Sequence, residues 1–265
     1  MIAVTGATGE LGGRVARRLA DRGVAQRIVV RDASRAPALE GADVRTIAGY
    51  GSFDDVRAAL EGIDTLLLVP GEEAPDRVEQ HKTAVDAAVA ARVPRIVYFS
   101  FVNAAPDATF TLARHHWATE QHIAAAGIEH TFLRMSMYMD FLPFMVGADG
   151  AIRGPADEGR AAFVLRDDLA DVATAVLLDP DAHDGATYDV TGGQSMTLGE
   201  AAATMAQVTG KPIRFEDETL EEAWASRRQT GAPDWEIEGW ISSYVGLASG
   251  ELDVVSDTVE RIAGH

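Results

Sequence analysis

Three evenly spaced glycines, Gly6, Gly9 and Gly12, stand in the segment Thr5-Gly-Ala-Thr-Gly-Glu-Leu-Gly12, directly behind the apolar run Ile2 to Val4. Glycines placed between a strand and a helix let backbone amides approach a pyrophosphate. One makes the tight turn, one admits the phosphate, and one lets the helix pack closely on the strand. The helix start adds free N–H groups and a partial positive charge, which suits an anion. Gly6, Thr8, Gly9, Glu10, Leu11 and Gly12 are therefore candidate cofactor residues, and the chemistry they imply is dinucleotide binding. The plainer alternative is a strand-to-helix turn without a ligand, but here strand, turn and helix are all in place.

The second candidate group is Arg31-Asp32-Ala-Ser-Arg35, after the second apolar run. An acidic residue here would accept the adenine ribose hydroxyls, whereas an arginine would receive a 2′-phosphate. Arg31 and Arg35 can flank a phosphate with guanidinium forks, which favours NADP(H), while Asp32 keeps NAD(H) open. Both arginines could also be ordinary solvated surface charges.

These groups need a scaffold, and the first half of the chain supplies one by alternating β-rich runs with alanine-rich helical stretches, the pattern of βαβ units and a parallel sheet. Strands are expected at Ile2 to Thr5, Arg27 to Val30, Val44 to Ala48, Thr65 to Val69, Arg95 to Ser100 and Thr131 to Arg134, with helices at about 10–22, 53–61, 76–91 and 114–126. Their near-continuous apolar character fits a sheet covered on both faces. The expected fold class is α/β, a Rossmann-type doubly wound parallel sheet over 1–140 with a smaller, intertwined substrate lobe over 141–265. In the lobe, Asp167 to Leu178 and Leu198 to Thr209 read as helices, Ala186 to Val190 and Ile213 to Glu216 as strands, and a helical tail starts near Leu220. Gly147, Gly150, Gly154 and Pro155 mark a loop, and the loose region 143–163 could act as a lid.

Composition removes other chemistries. The chain has no cysteine, which excludes disulfides, thiolate metal sites and cysteine nucleophiles. Its seven histidines fall at no recognisable ligand spacing, so no metal site is expected, and no Gly-x-Ser-x-Gly elbow is present. A formal charge of −18 disfavours nucleic acid and anionic membranes as partners, and no stretch approaches the roughly 18 apolar residues of a membrane span. With no leader-like pattern before Ile2, a cytoplasmic location is expected. Homodimerisation through a helix face is a general expectation for such folds.

Further segments extend the reading. Gln80-His81, Arg95-Ile-Val-Tyr-Phe-Ser100, His116 to Glu120, Thr131-Phe-Leu-Arg134, Asp168-Leu-Ala-Asp171 and Tyr188-Asp-Val-Thr-Gly192, together with the Gly6-x-x-Gly9-x-x-Gly12 spacing, resemble the NmrA-like family of atypical short-chain dehydrogenase/reductases. Within it the chain is most like the NAD(P)H:quinone oxidoreductases of type 2, over essentially its whole length. The resemblance implies that Arg31 and Arg35 meet a 2′-phosphate, that Tyr50 lies near adenine, and that Val69, Pro70 and Gly71 line the ribose and nicotinamide. Ser100, at the end of strand five, joins the cofactor candidates.

The resemblance implies a quinone or similar aromatic acceptor, and the residues fit a reaction needing little acid catalysis. Short-chain reductases of the usual kind pair a tyrosine with a lysine in Tyr-x-x-x-Lys, but Lys82 and Lys211 are the only lysines and neither follows a tyrosine at that spacing. The matching helix reads Ala113-Arg-His-His-Trp-Ala-Thr-Glu-Gln121, with Gln121 where those quinone reductases carry lysine. Hydride reaching a conjugated acceptor leaves a stabilised phenolate that water or a weak acid can protonate. The candidate catalytic groups are His116, which matches a family histidine, and Tyr138. His116 could donate a proton or hold an oxygen, or be one of several surface histidines beside His115 and His122; Tyr138 could be a packing residue. Phe101, Asn103, Trp117, Met135, Met137 and Phe144, with Phe141 and Met145, could wall a flat substrate. Two other readings stay open: a tailoring reductase or oxygenase of aromatic polyketides, and a non-catalytic dinucleotide redox sensor.

Overall fold

The computed structural model describes residues 1–265. The first half follows the expected alternation: β1 (Ile2–Thr5), α1 (Glu10–Asp21), β2 (Gln26–Val30), β3 (Asp43–Thr46), α2 (Phe53–Leu60), β4 (Thr65–Leu68), α3 (Arg77–Ala90), β5 (Arg95–Phe101), α4 (Thr111–Ala125) and β6 (Glu129–Met135). Beyond it come β7 (Ala151–Gly154), β8 (Arg160–Ala161), α5 (Arg166–Leu178), β9 (Thr187–Val190), β10 (Met196–Thr197), α6 (Leu198–Thr209), β11 (Arg214–Asp217), α7 (Leu220–Arg228) and α8 (Asp234–Ala248). No helix is long and apolar enough to cross a membrane.

The main sheet has the order β3-β2-β1-β4-β5-β6-β9, with every pairing parallel. The order reverses between β1 and β4, and such a switch point opens a crevice at the carboxyl ends of the strands. The period-2 side-chain alternation explains the apolar runs. Along β5, Val97, Phe99 and Phe101 join the core shared with α1 and α5, while Ile96 and Tyr98 join the core of the α2–α3–α4 face. Each such fully buried side chain contributes about 1.5–3 kcal/mol of burial free energy.

Two features of the second half depart from the expectation. β9 is the seventh strand of the main sheet, paired with β6 in the register Phe132 with Thr187 through Met135 with Val190, and α5 packs on α1. Strand pattern alone does not say which sheet a strand joins. The region expected as a loose lid carries structure: a 3₁₀ turn over Met139–Met145, then β7 paired in parallel with β11, and β8 antiparallel to β10. The helical tail is two helices, α7 and α8. α4 begins at Thr111, ahead of the expected start, and the third strand ends at Thr46, short of Ala48.

Candidate active site

The glycine turn is held at the switch point by contacts only glycine permits. Gly6 lies at φ +63°, and a Cβ there would sit 2.9 Å from the Cβ of Val69, the residue after β4. A Cβ on Gly12 would sit 2.5 Å from the Gly6 carbonyl oxygen. Gly9 is the N-cap of α1 and supplies no side-chain cap, so the first-turn amides stay free for an anion. Thr5 ties β1 to β4 on the same edge: its hydroxyl donates to the Leu67 carbonyl at 3.1 Å and accepts the Val69 N–H at 2.9 Å.

From this turn a groove of about 400 Å³ runs along the strand ends, past Gly6, Thr8, Gly9, Arg31, Tyr50, Val69, Pro70 and Gly71. The Tyr50 hydroxyl donates to the Val69 carbonyl at 2.6 Å, and burial raises its pKa to about 12, so it spans the groove as a neutral strut. Gly71 is clamped from both sides: its N–H donates to His81 Nε2 at 2.9 Å, and its carbonyl accepts Arg77 Nε at 3.1 Å. Because His81 Nε2 must accept, Nδ1 carries the proton and donates to Thr119 Oγ1 at 3.0 Å. Burial, helped by Arg77 and His115, lowers the His81 pKa to about 3.

Arg31 stands at the groove edge in an exposed ion pair with Glu72, the kind of pair a phosphate readily displaces. Arg35 ends the 3₁₀ turn Ala33–Arg35, outside the groove lining but close enough that its charge helps hold the Glu72 carboxyl down. Asp32 caps that turn: its carboxylate accepts from the Ser34 N–H at 2.9 Å and hydroxyl at 2.7 Å. Glu10 turns outward to Arg14, Leu11 is buried against the neighbouring cavity, and Gly12 supports the turn from below. Ser100 does not reach the groove. Its hydroxyl donates to the buried Glu120 carboxylate at 2.5 Å, which also takes a bidentate pair from Arg134, because Ser100 faces the α4 side of β5.

Val69 to Glu73 also line a second cavity of about 570 Å³, predominantly apolar, whose walls include the substrate candidates Phe101, Met135, Met137, Phe141 and Met145 and, beside them, the catalytic candidate Tyr138. His116 lines it, buried, with Nδ1 2.9 Å from the Tyr98 hydroxyl and Nε2 making no hydrogen bond within the protein. Burial, reinforced by Arg77, His81 and His115, holds its pKa well below 6.5, so the ring is neutral and can hold an oxygen but stores no imidazolium proton. The Tyr138 hydroxyl donates to Met135 Sδ at 2.9 Å, with the Arg166 guanidinium 4.1 Å from its ring centroid; burial raises its pKa to about 12. It is a wall with a polar edge, not an activated acid.

Three expected substrate residues lie elsewhere. Asn103, at φ +53°, donates its side-chain amide to the Glu251 carbonyl and ties its loop to the segment after α8. Trp117 follows His116 on α4 but points about 100° away from it and is not part of the cavity lining. Phe144 is 80% exposed and stacks on Phe141 outside the cavity. The missed residues come largely from far along the chain: Trp240 and Ser243, one turn apart on α8, close the cavity beside Phe110 and Arg166. Nothing in their local pattern marks them. Arg77 was visible as a charged residue opening an alanine-rich helix, and no sequence signal distinguishes it from a solvated one.

Known proteins are similar to this chain in sequence and fold. The chain is 33% identical to quinone oxidoreductase 2 of Escherichia coli K12, with 100% of this chain and 94% of that protein covered. The crystal structure of the E. coli NADPH-dependent quinone oxidoreductase complexed with NADPH superposes with a TM-score of 0.90 at 31% identity, over 100% of this chain and 95% of that one. The triphenylmethane reductase of Citrobacter sp. gives a TM-score of 0.88 at 31% identity, over 100% and 94%. With the NmrA-like family model matching residues 1–226 as well, the chain belongs to the NmrA-like family.

Proposed function

We propose that the protein is an NADPH-dependent oxidoreductase that passes a hydride to a quinone or related conjugated aromatic acceptor. The observation that carries this reading is the shared wall of the two spaces: the strand-end groove and the apolar cavity are both lined by Val69, Pro70, Gly71, Glu72 and Glu73. The glycine turn and the α1 amides would hold the pyrophosphate, and Val69, Pro70 and Gly71 the nicotinamide end. Arg31 lines the groove and would meet a 2′-phosphate there, whereas Asp32 lies outside the groove lining with its Oδ1 accepting from Ser34. Reduced nicotinamide supplies the hydride. Phe101, Met135, Met137 and Tyr138 exclude water and press the acceptor flat, and the neutral His116 offers hydrogen bonding to an acceptor oxygen. The relatives named above, a quinone reductase and a dye reductase, support an aromatic acceptor.

The test is oxidation of NADPH and NADH side by side, with and without oxygen, using a simple naphthoquinone and a polycyclic hydroxyquinone. Fast anaerobic oxidation of NADPH by the naphthoquinone is expected. Turnover that needs both oxygen and the polycycle would identify a tailoring oxygenase instead, and binding without turnover a redox sensor.

A further inference from the structure

Arg77 opens α3 beside the point where the groove meets the cavity, and it is 5% exposed. Only its Nε is bonded, to the Gly71 carbonyl; Nη1 is buried with no partner at all. The groups that surround it electrostatically are the phenols of Tyr50, Tyr98 and Tyr138 and the carboxyl of Glu73, which forms no ion pair with it. His81, His115 and His116 are kept neutral beside it. Burying a guanidinium without a counter-ion is costly, and it is unusual in a chain with 41 acidic and 23 basic residues to choose from. A second orphan belongs to a residue of the same lining: the Ser136 hydroxyl, buried and also without a partner. Arg77 and Ser136 both line this cavity and each holds a donor that the protein leaves unsatisfied, so a ligand oxygen that reached these side chains would complete them.

We propose that Arg77 receives the acceptor oxygen that turns negative when the hydride arrives, and that it selects acceptors that become oxyanions over acceptors that come as cations. The inference rests on the reductase reading. On taking up a hydride, two electrons and one proton from the reduced dinucleotide, a quinone becomes the monoanion of its hydroquinone. The negative oxygen meets the guanidinium, and a second proton, from water, completes the neutral product. The fixed charge replaces the missing tyrosine-lysine pair: it stabilises the anion without giving up a proton, and it is preorganised by Gly71. A cationic triarylmethane dye, by contrast, would meet like charge at the cavity floor.

The test compares the wild type with Arg77→Met and Arg77→Lys in three assays: affinity for NADPH, affinity for the 2-hydroxy-1,4-naphthoquinone anion, and kcat/KM for menadione and for crystal violet at saturating NADPH. Arg77→Met is expected to lower kcat/KM for menadione by about 100-fold, the scale of losing one oxyanion donor. NADPH affinity should fall by about tenfold at most, the effect of losing one of the two hydrogen bonds on Gly71, whereas the anion should bind about 100-fold more weakly and the menadione-to-dye ratio should fall, with Arg77→Lys recovering part of each loss. A thermal melt should show Arg77→Met at least as stable as the wild type, since an unpaired buried charge is removed. Loss of NADPH affinity in step with the menadione rate, or unchanged anion affinity and dye ratio, would overturn the assignment. A wild type that reduces no quinone would defeat the reductase reading alone, because the anion titration still decides whether Arg77 holds an oxyanion.

Discussion

The groove and the cavity share the segment Val69 to Glu73, yet they are built in opposite ways. The groove is made of backbone: Gly6 in a left-handed turn, free amides at the start of α1, and a clamped Gly71 peptide, all at the ends of adjacent strands. The cavity is made of side chains from β5, α4, β6, the 3₁₀ turn and α8, residues as far apart in sequence as Phe101 and Trp240. A backbone site tolerates almost no change at its glycines but is indifferent to most side chains around it. A side-chain site can be retuned residue by residue, which explains how one family framework accommodates reductases named for quinones and for dyes.

The largest effect confined to the groove is expected at Gly12. Gly12→Ala places a methyl 2.5 Å from the Gly6 carbonyl oxygen, which must move and take the turn with it. NADPH affinity, followed by fluorescence titration, should fall by about 100-fold, the effect of misplacing a binding group by about an ångström. Binding of a hydroxynaphthoquinone in the cavity should persist; its loss in parallel would mean that the two regions are not separable.

Arg31→Ser tests the far end of the groove. If Arg31 meets the 2′-phosphate, KM for NADPH should rise about tenfold, at least one charge-assisted hydrogen bond's worth, while KM for NADH stays put. Equal changes for both cofactors would remove Arg31 from phosphate recognition.

The clamp at Gly71 carries a pH signature. The folded-state pKa of His81 is about 3, below its unfolded value near 6.5, so between these limits the unfolded chain binds the extra proton. Stability is therefore complete above about pH 6.5 and falls as the pH drops, by about 1.4 kcal/mol per pH unit for each such histidine. His116, shifted in the same direction, adds to the slope. Urea unfolding between pH 7 and 5 should show this loss, and His81→Gln, which keeps an acceptor for the Gly71 N–H, should shallow it. An unchanged slope would contradict a neutral, buried His81.

The smallest effect is expected at Phe144. Phe144→Ala should leave turnover unchanged because the ring lies outside, whereas Phe101→Ala should raise KM for menadione. The reverse ranking would mean that the wall is drawn wrongly.

How far each region could be read from the sequence follows from the same contrast. The glycine turn, the strands through β6 and the groove residues Tyr50 and Val69 to Gly71 were legible because backbone demands and apolar periodicity leave local marks. Ser100 was misplaced because neighbouring residues of a strand face opposite sides, and its position alone does not tell whether it faces ligand or Glu120. Asn103, Trp117 and Phe144 had suitable chemistry but faced elsewhere, while Trp240, Ser243 and the orphaned Arg77 carried no local signal. Contacts between segments over a hundred residues apart are set by packing, which local pattern does not encode.

With groove and cavity sharing the wall Val69 to Glu73, hydride would pass directly from cofactor to acceptor. Single-turnover reduction of menadione with NADPH deuterated on one or the other face of nicotinamide C4 tests it most directly. Slowing is expected with deuterium on one face only, with transfer of that label to no intermediate carrier. Equal rates with both labelled cofactors, at a step shown to be the chemical one, would contradict it.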